Sequence, residues 1–464
     1  MGTELVVVIV VVAFLGLILL DVPVGLGLLF AGLLGIALLD GFARASTVLA
    51  TTPYSAVAKY GLFVVPMYVL LGALVSHAGI GAGLYRVINR RVRHLPGGLA
   101  ASAVLATAAF SGISGSSAAD VASFGRVSVT EMSRHGYPRP EAAAVVAAAG
   151  AVAMLIPPSI VVVIYGIMAQ ESIGALILAS VVPGVLSALA LAAFVVVHAG
   201  VRGRRRVAAS ASAPRLGTRV TTGPPVAGEV AVDLHGSDAA RAPGDLAAIL
   251  SAGVLFTIVV GGLYSGIFTA TEAGAVAALT ALVIALASRR SRAGRSFTSV
   301  LRSALWETAN VTSMIFLLLV AGAVLGYFVA SSGLAHDIAR WAVGLPVGPL
   351  AVVAALLLIM IPLGMCLDGL SVLLLTVPIV TPVVDALGYD GVWFGILMVK
   401  MIEIGLLTPP VGINVFIISG IVAIPAEQVF RRIFPFVALD LALTALFFAV
   451  PDLVMWLPRL AGLG

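Results

Sequence analysis

Apolar stretches long enough to cross a lipid bilayer recur along this chain from Leu5 to Leu457. A transmembrane helix needs about 20 predominantly apolar residues, and a chain that repeats such stretches cannot fold with a polar surface. Only 10% of the 464 residues are charged, against roughly 25% in a typical soluble domain. The chain is therefore predicted to be an all-α polytopic membrane protein with lipid as its main solvent.

Two of the apolar lengths, 99–125 and 350–384, carry small or polar residues at their middles. We predict that each folds as a re-entrant helical hairpin, which enters and leaves the membrane on the same side. The N-terminus has Glu4 and no basic residue before its apolar run, so the first span is expected to be retained rather than cleaved as a signal peptide. Because Cys366 is the single cysteine, an internal disulfide framework is excluded.

The distribution of the basic residues indicates which face of the membrane is cytoplasmic. With the N-terminus outside and both hairpins re-entrant, 21 of the 26 lysines and arginines fall in loops on one face. The positive-inside rule makes this face cytoplasmic and leaves both termini on the outer side of the membrane. The loop 200–247 is predicted to be flexible because Ala, Pro, Gly and Arg dominate it. Its basic run at 202–206 is explained by membrane orientation, so no nucleic-acid partner is predicted.

Two segments of the chain, roughly 60–200 and 312–452, resemble each other at an offset of 252 residues. Pro157-Pro158 pairs with Pro409-Pro410, and Gly-Tyr, glycine and proline positions recur at the same offset. Since an odd number of crossings separates the two hairpins, the copies are predicted to be inserted in opposite directions. Inverted repeats with interrupted helices are typical of secondary transporters, whose binding sites lie near the membrane midplane at the repeat interface.

The proline pairs lie within apolar stretches that we predict to be broken helices, 141–168 and 392–423. Because a proline pair removes two backbone donors, carbonyl oxygens one turn earlier lose their helical partners inside the membrane. A bound cation is one way to satisfy them. Water or a neighbouring serine is the other, and the break is then only a hinge. Two pairs at matching positions, each facing a polar hairpin tip, favour the cation.

The two hairpin tips carry polar groups that suit such a site. Hydroxyl and carbonyl oxygens suit a hard cation such as Na⁺, and a carboxylate inside a membrane marks a functional site by default. Close helix packing and helix capping are the alternatives, and capping stays open beside ion binding for both tip carboxylates. These tip residues are Ser111, Ser114, Ser116, Ser117 and Asp120 in the first hairpin, and Gly364, Asp368, Gly369 and Ser371 in the second.

A charged pair lies in the second broken helix, where Lys400 and Glu403 are spaced to meet on one helix face. The equivalent positions of the first copy are the uncharged Ala148 and Ala151, so the fold of the repeat does not require the pair. We predict a buried ion pair that shapes the site or contacts the substrate, and a purely structural role is the alternative. The predicted substrate-binding residues are Ser116, Ser117, Asp120, Asp368, Lys400, Glu403 and Asn414.

Four segments, at 111–120, 156–160, 364–368 and 406–421, resemble the large membrane subunit of tripartite ATP-independent periplasmic (TRAP) transporters, the DctM-like family. The likeness extends over nearly the whole chain. It implies a Na⁺-coupled importer of organic acids that works as an elevator, with the hairpins and broken helices in the moving part. It also implies two partners, a periplasmic substrate-binding protein and a separate small four-helix membrane subunit.

The resemblance also implies which residues ligate Na⁺, the coupling ion, with no other cofactor expected. One set combines the first tip with the first break, and the other combines the second tip with the second break. The first set is Ser111, Ser114, Gly115, Ser116 and Pro157, and the second is Gly364, Cys366, Asp368, Thr408, Pro409 and Gly412.

Two other functions remain as alternatives. The first is a stand-alone carrier of carboxylates or other anions, which would use the same ion coupling without partner proteins. An intramembrane serine protease is a remote alternative, because residues 112–115 match a GxSG nucleophile pattern. Such an enzyme needs a general base within reach of the serine, whereas all six histidines fall at span ends or in loops. No phosphate-binding GxxxxGK[ST] loop occurs either, so the chain is predicted to be a gradient-driven transporter and not an enzyme.

Overall fold

The computed structural model describes residues 2–77, 80–92, 94–210, 243–287 and 296–463 of the chain. Within these ranges every regular element is a helix. Among the described residues, seven helical segments are long and apolar enough to cross a membrane by their length and composition. These segments are Tyr60–His77, Ile173–Ala199, Ala270–Ala287, Phe297–Ser331, Pro349–Cys366, Gly369–Ala386 and Ala426–Ala449.

The helices are numbered in chain order. Those before residue 211 are α1 (Thr3–Leu19), α2 (Val24–Asp40), α3 (Phe42–Val57), α4 (Val64–His77), α5 (Ile80–Val92), α6 (Gly98–Ser114), α7 (Ser117–Arg134), α8 (Arg139–Val152), α9 (Ile160–Ala169) and α10 (Ile173–Ser210). Those after it are α11 (Pro243–Phe256), α12 (Gly262–Tyr264), α13 (Ala270–Ala287), α14 (Phe297–Ser331), α15 (Leu334–Val343), α16 (Pro349–Cys366), α17 (Gly369–Ala386), α18 (Gly391–Gly405), α19 (Ile413–Val422), α20 (Ala426–Ala449) and α21 (Asp452–Leu460).

The order and lengths of the helices recur between the two halves of the chain. Helices α7 and α17 begin 252 residues apart and end 252 residues apart. Their N-caps, Ser116 and Asp368, are separated by the same offset. Gly136 and Gly388, also 252 apart, both have a positive φ in the turn after the second hairpin helix. The same succession of two hairpin helices, a turn and a two-part helix is therefore present in both halves.

Both helices that contain a proline pair are interrupted at it. Helix α8 ends at Val152 and a short 3₁₀ turn follows, before α9 starts beyond Pro158. Helix α18 ends at Gly405, and α19 starts at Ile413. Pro157-Pro158 and Pro409-Pro410 are both joined by cis peptide bonds. Since proline lacks the backbone donor that a helix interior needs, the interruption falls where the sequence predicts it.

Two boundaries differ from those expected from hydropathy. The first hairpin does not end at 125, because α7 continues to Arg134. In this last part of α7 one side of the helix is exposed, whereas Ser128, Val129 and Met132 on the other side are buried. Packing of this buried side therefore extends the helix beyond the apolar stretch. The loop expected at 200–247 is shorter, because α10 runs to Ser210 and α11 starts at Pro243. The remainder, 211–242, lies outside the described residues.

The centre of the molecule is formed by the two broken helices. Every residue of α18 is buried, and so is every residue of α8 from Glu141 to Val152. Glycine and alanine allow this close packing: a Cβ added at Gly395 in α18 would lie 2.1 Å from the Tyr165 ring of α9. The two halves of the chain therefore pack against each other through their interrupted helices.

A second layer is formed by α1, α2, α3 and α14. Its apolar core is separate from the central one and includes Val10, Leu28, Val48 and Phe328. A Cβ added at Gly35 would lie 2.4 Å from the Phe328 ring, so α2 approaches α14 closely only because this position is glycine. This layer supports the central helices from one side through α14, which also contacts α17 and α4.

Candidate functional site

The first hairpin tip lies against the first helix break. The tip turns at Gly115, which has φ +64°, and Ser116 caps α7 by accepting a hydrogen bond from the Ala119 N–H at 3.4 Å. A Cβ added at Gly115 would lie 2.8 Å from the Pro158 carbonyl oxygen, and one added at Gly112 would lie 3.3 Å from the Pro157 carbonyl oxygen. The carbonyl oxygens of both prolines therefore face the glycines of the tip.

The second hairpin tip lies against the second broken helix in the same way. Gly364 is the counterpart of Gly112 at the offset of 252, and a Cβ there would lie 3.0 Å from the Ile402 carbonyl oxygen. The Gly412 N–H donates a 3.2 Å hydrogen bond to the Met365 carbonyl at the end of α16. The Thr408 hydroxyl lies in the break and donates to the Ile404 carbonyl at 2.7 Å. Each tip thus contacts backbone at or beside its own break.

The carboxylate of the second tip has a capping role in this structure. One oxygen of Asp368 accepts hydrogen bonds from the N–H groups of Leu370 and Ser371, at 3.1 and 3.2 Å. Its other oxygen accepts from the Ser371 hydroxyl. The capping alternative that the sequence left open is therefore realised at Asp368, which fixes the start of α17. The carboxylate of the first tip, Asp120, is fully buried in the first turn of α7.

A hydrogen bond between two buried side chains joins the halves at this site. Asn414 starts α19 just after the second break, and its Nδ2 donates to the Ser117 hydroxyl oxygen at 2.7 Å. Ser117 starts α7 at the first tip. The residues are 297 positions apart in the chain, so the bond fixes the second break beside the first tip. These two predicted substrate-binding residues therefore join the two halves of the chain directly.

Removing this bond is expected to destabilise the central helices. We expect Asn414→Ala to lower the free energy of unfolding by about 1–3 kcal/mol, because it leaves the buried Ser117 hydroxyl without its donor. A double-mutant cycle with Ser117→Ala in detergent-solubilised protein should give a coupling energy of about 0.5–3 kcal/mol. Ser133→Ala is the control, because that hydroxyl bonds only to the Val129 carbonyl of its own helix. Additive effects for Asn414 and Ser117 would contradict the direct bond.

The other predicted residues are distributed around this centre. Ser111 is buried near the end of α6. Cys366 ends α16 with an exposed thiol. The side chain of Ser114 lies outside the described residues. The tips, the breaks and Asn414 therefore form one region, whereas Lys400 and Glu403 lie deeper in α18.

A cavity with about 400 Å³ of empty space lies beside the first tip. Ser116 and Ala119 line it from the tip, and Ile160 lines it from α9. Ser76 and Glu307 line the opposite side, from α4 and α14. Glu307 is 2.8 Å from the ring Nε2 of His77, a contact between distant helices that the sequence did not indicate.

Lys400 and Glu403 form the buried ion pair that the sequence predicts, at 3.2 Å. A third member was missed: Lys400 also bonds to Asp440 on α20. Lys400 and Glu403 are both fully buried. A signal for Asp440 exists in the sequence, since it is a carboxylate inside the apolar stretch of α20, and such residues mark functional sites by default.

Comparison with known proteins identifies a family to which nearly the whole chain is similar. The family described as "Tripartite ATP-independent periplasmic transporter, DctM component" matches residues 11–453. The chain is 31% identical over 404 residues to the C4-dicarboxylate TRAP transporter large permease protein DctM of Pseudomonas aeruginosa, and the match covers 87% of each protein. It is 29% identical to the sialic acid TRAP transporter large permease protein SiaM of Vibrio cholerae, over 96% of this chain and 97% of that protein.

A solved structure shares the fold. The crystal structure of the Alcanivorax borkumensis YdaH transporter, reported to have an unusual topology, superposes with a TM-score of 0.59. The superposition covers 92% of this chain and 90% of that one, at 14% sequence identity. At this identity the likeness concerns the arrangement of helices.

Proposed function

The chain belongs to the DctM component family of tripartite ATP-independent periplasmic transporters, and from that premise we propose that it imports an organic acid by a Na⁺-driven elevator mechanism. The family consists of large permease subunits of secondary transporters, not of enzymes. The remote protease alternative therefore has no support from the relatives. The proposal concerns the coupling ion, the substrate class, the moving part and the partners.

The paired contact between hairpin tip and helix break carries the proposal. In both halves a proline pair interrupts a helix in the centre of the molecule, and a Cβ added at a glycine of the facing tip would lie 2.8–3.3 Å from a backbone carbonyl oxygen. Backbone carbonyl oxygens and hydroxyl groups meet at each break, and both are ligands that a hard monovalent cation prefers. We assign one Na⁺ position to each tip and its break, with the residues that the resemblance implies.

Na⁺ at the first position takes its ligands from the tip of α6 and α7 and from the carbonyl oxygens at the Pro157-Pro158 break. Na⁺ at the second takes them from the end of α16, the Thr408 hydroxyl and the break beyond it. The Thr408 oxygen donates its hydrogen to Ile404, and its lone pairs remain able to face a cation. Asp368 supports the second position by fixing the start of α17, and adds negative charge there.

We propose that the halves are inserted in opposite directions, both termini lying on the periplasmic side of the inner membrane. The two hairpins then open to opposite faces and move together with α8, α9, α18 and α19. Three contacts that cross between the halves support one moving body: Asn414 with Ser117, Arg139 with the Val422 carbonyl at 2.8 Å, and Tyr165 with the Gly391 carbonyl at 2.7 Å. The separate layer of α1, α2, α3 and α14 provides the fixed scaffold.

The substrate is proposed to be a carboxylate delivered by a periplasmic binding protein, with a small membrane subunit as the third component. C4-dicarboxylates and sialic acid, named for the relatives, are both carboxylic acids. The N-termini of α7 and α17 lie at the two tips, where their partial positive charge favours an anion. Ser116 and Ser117 at the first tip and Asn414 beside it offer hydrogen-bonding groups to that anion.

Uptake by proteoliposomes tests this proposal. The large subunit, reconstituted with the proposed small subunit, should accumulate a labelled organic acid only when Na⁺ is outside and the binding protein is added. Replacing Na⁺ with K⁺ should abolish accumulation. Uptake that is driven by Na⁺ without any binding protein would instead support the stand-alone carrier. Accumulation that is indifferent to Na⁺ would refute the coupling ion.

The Thr408 hydroxyl provides a sharper test of the Na⁺ position. We expect Thr408→Val to raise the Na⁺ concentration for half-maximal uptake about tenfold, which corresponds to about 1.4 kcal/mol of lost ligation. Thr408→Ser keeps the hydroxyl and is expected to stay near the native value. The Na⁺ dependence of the initial uptake rate measures both. An unchanged Na⁺ dependence in Thr408→Val would remove Thr408 from the ligands.

A further inference from the structure

Three ionisable side chains on α18 and α20 form a buried triad in the centre of the molecule. Lys400 and Glu403 lie one turn apart on α18, and Asp440 reaches Lys400 from α20. Lys400 and Glu403 have no exposed surface, and Asp440 is 5% exposed. This triad takes no part in the proposed Na⁺ positions, so its charge needs its own explanation.

The charges of the triad do not balance when all three groups are ionised. One ammonium faces two carboxylates, which leaves a net charge of −1 in an apolar core. An uncompensated charge in such a place costs several kcal/mol. Lys400 binds one oxygen of each carboxylate, and in the described part of the chain no group donates to the other two, Glu403 Oε2 and Asp440 Oδ2. One positive charge is therefore missing, and two acceptor oxygens are available to hold it.

A cavity lies beside Asp440 of this triad. It has about 230 Å³ of empty space between α8, α10, α20 and the second break, and Asp440 forms part of its wall. Ser187 of α10 lines the same cavity, is fully buried, and its hydroxyl has no hydrogen-bond partner among the described residues. The rest of the wall is apolar. Ala148 and Val152 line it from α8, Leu191 from α10, and Leu407 comes from the second break.

The composition of the wall distinguishes between a metal cation and a proton. A hard cation needs about six oxygen ligands in a shell around it, whereas Asp440 and Ser187 are the polar side chains among the described residues of this wall. A proton needs a single oxygen, and a small cavity with two polar groups suits a water molecule that delivers it. The geometry therefore favours a proton.

We propose that the triad of Lys400, Glu403 and Asp440 binds one proton, which it exchanges through water held in the cavity between Asp440 and Ser187. A hydronium in the cavity transfers its proton to a carboxylate oxygen, an O–H bond forms there, and a neutral water remains. The core then carries one ammonium, one carboxylate and one carboxylic acid, with no net charge. Release to a water in the cavity reverses the step.

In the described part of the chain, the other ionisable groups on the helices that pack against α18 are either exposed or in contact with groups outside the triad, and Glu427, Arg431 and Arg432 of α20 are among the exposed ones. Within the described residues, no ion pair joins any of them to the triad. Glu141 of α8 lies 4.0 Å from His198 of α10, and Tyr165 of α9 donates to the Gly391 carbonyl. Asp368 caps α17, Asp385 is exposed near the end of α17, and Asp452 pairs with Arg459 within α21. The protonation of the triad therefore depends on its own three members.

Infrared spectroscopy of the whole transporter in lipid tests the proposal without substrate or Na⁺, so its result is independent of the proposed function. A protonated carboxylic acid in an apolar site has a carbonyl stretch separate from that of a carboxylate, and the band shifts in heavy water. We expect this band at neutral pH and expect it to disappear in alkaline buffer. Absence of the band at every pH at which the protein stays folded would overturn the proposal.

Two variants identify the residues that hold the proton. Glu403→Gln and Asp440→Asn each leave one ammonium and one carboxylate, a pair that needs no added proton, so either change should remove the band completely. Asp385→Asn, which changes an exposed carboxylate, should leave it intact. A band that survives in both core variants would place the proton elsewhere. If added Na⁺ removes the band of the native protein, the site binds a metal cation and the proposal is wrong. If a variant fails to fold, the pH titration of the band in the native protein still tests whether the triad binds a proton.

Discussion

Replacing Gly115 with alanine is expected to reduce substrate uptake below detection. The added Cβ would lie 2.8 Å from the Pro158 carbonyl oxygen, and that oxygen belongs to backbone, which cannot rotate away as a side chain can. The first tip must therefore separate from the first break, and the oxygens proposed to hold Na⁺ move apart. Initial uptake rates in proteoliposomes, normalised to the amount of folded protein, measure the effect.

Gly136→Ala is the matched control for this change. Gly136 also has a positive φ, at +86°, so alanine suffers comparable backbone strain there, of about 1–2 kcal/mol. Nothing lies within 4 Å of its added Cβ. We expect Gly136→Ala to lower the thermal stability slightly and to keep most of the uptake. Equal loss of uptake in both variants would show that strain alone, and not contact between tip and break, explains the result.

Replacing Gly405 with alanine is expected to lower uptake at least about tenfold and the free energy of unfolding by about 1–3 kcal/mol. Its Cβ would lie 2.7 Å from the Gly364 Cα and 2.8 Å from the Ile361 carbonyl oxygen. Both contacts are with the backbone of α16, so the second tip must move away from α18. Gly364→Ala, which meets the Ile402 carbonyl at 3.0 Å from the other side, should have a similar effect.

Gly420→Ala provides the comparison for the second tip. It lies within α19, close in the chain to the same break, and its added Cβ meets nothing within 4 Å. Because alanine is favoured over glycine inside a helix by about 0.5–1 kcal/mol, we expect unchanged or slightly higher stability and native uptake. A comparable loss in Gly420→Ala and Gly405→Ala would mean that the close approach of α16 to α18 is not what the activity requires.

The helix interruptions could be predicted from the sequence because their cause is local. A proline lacks its backbone donor wherever the chain places it, so Pro157-Pro158 and Pro409-Pro410 define the breaks without any tertiary information. The N-caps at Ser116 and Asp368 follow from the same local chemistry. The extension of α7 to Arg134 could not be predicted from hydropathy, since it depends on which side of a polar segment is buried.

Contacts between helices could be predicted only in part. Lys400 and Glu403 are one turn apart on one helix, so their spacing indicates the pair. Asp440 joins them from 40 residues along the chain, and only the packing of α20 against α18 brings it there. The bond between Asn414 and Ser117 depends in the same way on how the two halves meet. The sequence named both residues as candidates without indicating that they touch.

The central claim is that the two matching halves are inserted in opposite directions, and labelling of cysteines from each side tests it most directly. Arg134 and Ala386 are exposed, and they are the last residues of the equivalent helices α7 and α17. In a Cys366→Ser background, Arg134→Cys and Ala386→Cys are each treated with a membrane-impermeant maleimide in right-side-out and inside-out vesicles. We expect position 134 to react only from the cytoplasmic side and position 386 only from the periplasmic side. Reaction of both positions from the same side would contradict the account.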